Sequence, residues 1–136
     1  VMRLDGWEKR LMELLQAAHD RPFEWGNHDC ALFAAAGVLA ITGNDVAADV
    51  RGHYSSAKGA LKVLKTLGMA DLESATTHLL GNPVDTRLAG RGDVVLVETA
   101  NGPTLAICAG IYAFAPGEKG SIAMARHAWR NAWKVG

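Results

Sequence analysis

The stretch ALFAAAGVLAI, from Ala31 to Ile41, runs eleven residues without a polar side chain. That length is too short to span a bilayer, which needs about 20 apolar residues. A helix that is apolar all round must instead be buried, so the rest of the chain is expected to wrap this element. Gly43 supplies a left-handed stop at its end, and the opening falls at Asp29 or Cys30. The many alanines and Gly37 imply close approach of other backbones.

Other elements are read around this centre. In LDGWEKRLMELLQAAHDRP, Leu4, Trp7, Leu11, Leu14, Leu15 and Ala18 recur at three- and four-residue spacing, which predicts an amphipathic helix. Asp5 and Glu8 suggest a capping box, and Pro22 ends the element. A short helix is expected over Asp45–Arg51. Ser55 or Ser56 caps a further helix in AKGALKVLKTLG, and a fourth is expected over Asp71–Leu80.

After Arg91 the texture changes to β-branched runs. GDVVLVET, then TLAICAGIYAFAPG with a turn near Ala109-Gly110, then SIAMAR after a turn at Pro116–Gly120, predict strands. HAWRNAWKV fits either a strand or irregular coil. The expected class is α+β: N-terminal helices including a buried central one, then a small antiparallel, meandering sheet. No linker, repeat or low-complexity segment breaks the chain, so residues 1–136 are expected to form one domain.

Fourteen basic residues balance fourteen acidic ones. Without a basic excess, neither nucleic acid nor an anionic membrane is the expected partner, and no membrane insertion is expected. Val1–Gln16 mixes charge throughout, so no secretory leader is read there. Cys30 and Cys108 are expected as free thiols.

Cys30, following Asn27-His28-Asp29, admits three readings. Free N–H groups and the macrodipole at a helix start favour a thiolate, as in a nucleophile. Cysteine is also a common core filler in alanine-rich helices. His28-x-Cys30 offers two zinc ligands, but no second spaced pair accompanies it, so no metal or other cofactor is expected.

NHDCALFAAAGVLAITG, followed some sixty residues later by RGDVVLVETANGPTLAICAG, resembles the NlpC/P60 group of papain-like cysteine peptidases. The likeness is greatest to the small members encoded among phage tail genes. It implies that Asp29-Cys30 is the nucleophile pair, that Gly92-Asp93 forms the turn into a strand, and that TLAICAG is the histidine strand. The family pattern there is His-Val-Gly-Ile-Tyr-x-Gly. With Gly110 in register, Thr104 stands where the family has its histidine. A threonine hydroxyl is no base near neutral pH, and losing the imidazole removes several orders of magnitude in rate.

Other histidines are weighed as substitutes. His28 lies two residues before the sulfur, and His127 comes from the final segment; both are candidate bases. His53 and His78 read as surface residues, and His19 as a partner of a helix C-terminus. Cys108, four residues after Thr104, is expected on the same strand face and near the Cys30 helix. Trp25 is expected to wall a pocket over Cys30. Trp129 and Trp133 fit either the edge of the core or a docking surface. Lys58, Lys62 and Lys65 read as one solvated face.

The resemblance, with Thr104 in the histidine position, implies a phage or prophage tail-tip structural or assembly component on a degenerate NlpC/P60-like domain. The alternative is an active cysteine endopeptidase that cleaves peptidoglycan stem peptides while the phage penetrates its host. Expected partners are other tail or tail-tip proteins, with peptidoglycan for an active form. The expected location is the virion tail tip, or the host cytoplasm during assembly.

Overall fold

A computed structural model describes residues 2–136. Four helices precede a five-stranded antiparallel sheet: α1 (Trp7–Ala18), α2 (Cys30–Thr42), α3 (Ala57–Thr66), α4 (Leu72–Leu80), β1 (Val94–Thr99), β2 (Gly102–Cys108), β3 (Tyr112–Gly117), β4 (Gly120–Ala125) and β5 (Trp129–Trp133). Strand order is β4-β3-β2-β1-β5. The first four strands meander as expected. HAWRNAWKV resolves into a short 3-10 turn and β5, which crosses back to pair with the free edge of β1.

α2 lies against the sheet at the centre. Gly37 gives close packing there, against a side chain rather than another backbone: a Cβ on it would stand 2.7 Å from the terminal Cδ1 of Ile107. One core joins Leu11, Phe33, Val38 and Ile41 to Val94, Leu96, Leu105 and Ile107 on the inner sheet face. The alternate residues Val95, Val97, Ala106, Cys108, Ala113 and Ala115 form a second core on the outer face, closed by Trp129 and Ala132. Both faces of β1 are therefore buried, which explains its unbroken VVLV. Trp129 and Trp133 are both core residues.

Three local expectations are corrected. Asp5 and Glu8 form no capping box, because Gly6 takes the N-cap position in a left-handed conformation with no side-chain cap. α1 ends at Ala18 with His19 as C-cap, four residues before Pro22. Asp45–Arg51 forms successive turns rather than a helix; Asp45 accepts from the Ala47 N–H and pairs with Arg51.

Asp93 of the Gly-Asp turn is fully buried. It accepts from Arg3 at 3.0 Å, Lys134 at 2.6 Å, the Val135 N–H at 2.9 Å and the Gly90 N–H at 2.8 Å. Arg3 also donates to the carbonyls of Val135 and Arg91. One carboxylate thus ties both ends of the described chain to the start of β1.

Candidate functional site

Cys30 is the first residue of α2, and its position is set by Asp29. That carboxylate is buried and takes the Leu32 N–H at 2.9 Å, the Gly26 N–H at 3.0 Å and the Tyr54 hydroxyl at 2.6 Å. It thereby caps the helix, fixes the preceding loop and anchors the segment after α2 in one place. Gly26 must be glycine here, since its φ is +80° and a Cβ would meet the Tyr54 carbonyl oxygen at 2.2 Å. Burial, then the bond to Asp29, push the Tyr54 hydroxyl far above its ordinary range, so it stays a donor.

The sheet opens in front of the sulfur. β2 pairs with β3 only at Ile107–Phe114 and Cys108–Ala113, and beyond these the two strands diverge. The gap between the β1–β2 and β3–β4 hairpins forms a cleft of about 590 Å³. Cys30, Phe23 and Trp25 line it, with Thr99, Asn101 and Thr104 on one hairpin and Pro116 and Glu118 on the other. The Phe23 N–H donates to the Gly117 carbonyl and pins the loop to the second hairpin. Trp25 therefore walls the cleft that holds Cys30, as expected.

Cys30 and Thr104 share this cleft. The backbone N–H of Leu105, the residue after Thr104, favours the Cys30 thiolate, as do N–H groups of the first helical turn. The Thr104 hydroxyl contacts the Gly102 carbonyl and the Thr99 hydroxyl. The two positions border one cleft, but Thr104 pairs with Val97 of the outer sheet face and its hydroxyl turns to Thr99 and Gly102 rather than to the sulfur.

The electrostatics run against the helix-dipole expectation. Burial is the largest influence on the thiol and, with the nearby Asp29 carboxylate, outweighs the N–H donors, so Cys30 is pushed up from 9.0 to about 11. At neutral pH it is a protonated thiol rather than a stabilised thiolate.

Neither candidate base lines the cleft. His28 is buried on the opposite side of its loop, edge-on to Phe33 at 5.4 Å, in a cavity of about 100 Å³ shared with Leu14, Arg21 and Asn27. Burial and the Arg21 cation hold its pKa below 6.5. His127 is exposed, on the 3-10 turn between β4 and β5. Cys108 lies with Ala106 on the outer sheet face, away from α2, with its sulfur 3.8 Å from the Gly110 carbonyl oxygen. The β-strand alternation that links Thr104 to Cys108 carries the latter into the second core, so it does not approach Cys30.

Tyr54 escaped sequence reading because it lies in an irregular segment without periodicity. An aromatic residue between Gly52-His53 and Ser55-Ser56 was its only signal. The Pro116–Glu118 wall falls in the stretch expected as a turn, but Pro116 and Gly117 end β3 and only Glu118 and Lys119 form the turn. Among the described residues, no cluster of three or more metal-ligating side chains is present, and no helix is long and apolar enough to cross a membrane.

The chain matches no curated protein. A family model described as a domain of unknown function, DUF6950, matches residues 2–135. With nearly its whole described length matched, the chain belongs to the DUF6950 family.

Proposed function

We propose that this chain is a structural or assembly component of a bacteriophage or prophage tail tip, built on an NlpC/P60-like domain without the catalytic histidine. The observation that carries the reading is the cleft itself. It holds a helix-start cysteine and a neighbouring strand, yet Thr104 stands at the position the resemblance gives to the base, and among the described residues no histidine lines the walls. A thiol held up at about 11, without an imidazole, lacks both the activated nucleophile and the proton donor for a leaving amine. Its partners are other tail-tip proteins, and it resides in the virion or, during assembly, in the host cytoplasm.

A second reading, a cysteine endopeptidase acting on peptidoglycan stem peptides, draws support from one feature: Cys30 opens on a cleft walled by Trp25. The deciding experiment combines immunogold labelling of purified particles with incubation of the protein on stem peptides. Label at the tail tip without cleavage supports the assembly role. Cleavage abolished by Cys30→Ala supports the peptidase instead, and absence from the particles sinks the tail-tip proposal.

A further inference from the structure

α3 has no buried residue and contributes only Leu64 to the lining of an apolar cavity between α2 and α4. The cavity, about 90 Å³, is lined by aliphatic groups including Val38, Val46, Leu64, Met69, Leu72 and Leu79. Its one hydroxyl-bearing residue, Thr76, donates to the Leu72 carbonyl. No hydrogen-bonding function is left free to hold a polar guest, and the volume is below the ~150 Å³ of a cavity that takes benzene. The space suits one aliphatic side chain. Leu61, Leu67 and Leu79 remain 53%, 43% and 47% exposed around these helices.

The charge of α3 is one-sided. Between Val50 and Ala70 the chain carries no Asp or Glu, whereas Lys58, Lys62 and Lys65 recur at four and three residues. That spacing places them in one stripe along the helix, with Leu61 between the stripe and cavity-lining Leu64. All three are exposed, and among the described residues no carboxylate pairs with them. In a chain of zero net charge this is an unneutralised cationic stripe beside an apolar socket.

We propose that this face docks an acidic amphipathic helix of a partner protein. One aliphatic side chain of the partner enters the cavity, and its carboxylates, repeated every three to four residues, run along Lys58, Lys62 and Lys65. A membrane fits less well, because an interfacial helix needs its whole apolar face free and α3 commits Leu64 to the cavity. Nucleic acid would leave the socket unused. The surface shares no lining residue with the Cys30 cleft, so the inference stands apart from the tail-tip reading.

The test is an NMR titration of the whole chain with a synthetic amphipathic helix carrying leucine anchors and glutamates at matching spacing. Shifts confined to the cavity and α3, including the Leu64 methyls, are expected. The exposed triple variant Lys58→Gln/Lys62→Gln/Lys65→Gln, checked for unchanged circular dichroism, weakens binding about tenfold, as three exposed ion pairs imply. Three controls replace the probe in turn: the same peptide with glutamines for glutamates, phosphatidylglycerol vesicles, and a DNA duplex. No binding by the acidic peptide, shifts elsewhere, equal binding of the glutamine peptide, or tighter binding of vesicles or DNA at the same residues overturns the proposal.

Discussion

Alkylation of Cys30 gives the most direct check on the site. In a Cys108→Ala background only one thiol remains. A thiol titrating at about 11 instead of 9.0 carries about a hundredfold less thiolate at about pH 8. A more basic thiolate is also a better nucleophile, with a Brønsted slope of about 0.4–0.5, which recovers nearly tenfold of that loss. Iodoacetamide should therefore modify Cys30 about tenfold more slowly than a free thiol, with the rate still climbing above about pH 10. A midpoint below about 8.5 would refute the argument that burial outweighs the helix-start N–H groups.

Three further outcomes are expected. Asp93→Ala leaves Arg3 and Lys134 without their buried partner and should destabilise the fold by about 3–5 kcal/mol in urea titrations; a loss under about 1 kcal/mol would show the cluster to be dispensable. Asp29→Ala removes the cap of α2 and strands the Tyr54 hydroxyl, at a cost of about 2–3 kcal/mol, and should speed proteolysis within residues 44–56. His28 resists protonation in the fold but accepts a proton at about 6.5 when unfolded, so its contribution is complete above that pH. Stability should fall as the pH drops from 6.5 towards the depressed folded value, then level off, and His28→Phe should abolish that slope.

Elements whose signal is local were legible in the sequence. The apolar run with Asp29 before it and Gly43 behind it marked α2 at both ends, because cap and stop chemistry act within a few residues. Strands β1 to β4 followed from β-branched runs between glycine turns. The placement of β5 was not legible, since a strand's choice of neighbour is a tertiary matter and WRNAW alternates only weakly. In the site, Cys30, Thr104 and Trp25 could be named in advance, but the state of the thiol could not. The helix start was visible in the sequence, whereas its competitor, desolvation, arises from segments distant in sequence that close around the sulfur. His28 misled for a related reason: nearness along the chain says little about direction, and the turn through Gly26 aims its ring at α1 while Cys30 faces the sheet.

The clasp on Asp93 also sets how the fold carries load. Gly136 packs so closely on Arg3 that an added Cβ would stand 2.6 Å from Cγ, which puts the two ends side by side. Tension applied at those ends meets the Arg3–Asp93–Lys134 cluster before it reaches the sheet. Once the cluster parts, the load falls on β5, the strand at the sheet's end that is held by β1 and by the bridge to Val84, before it reaches the central β1–β2 pairing. The same adjacency lets the whole unit be spliced into a surface loop of another protein with little strain, since chain enters and leaves at one point.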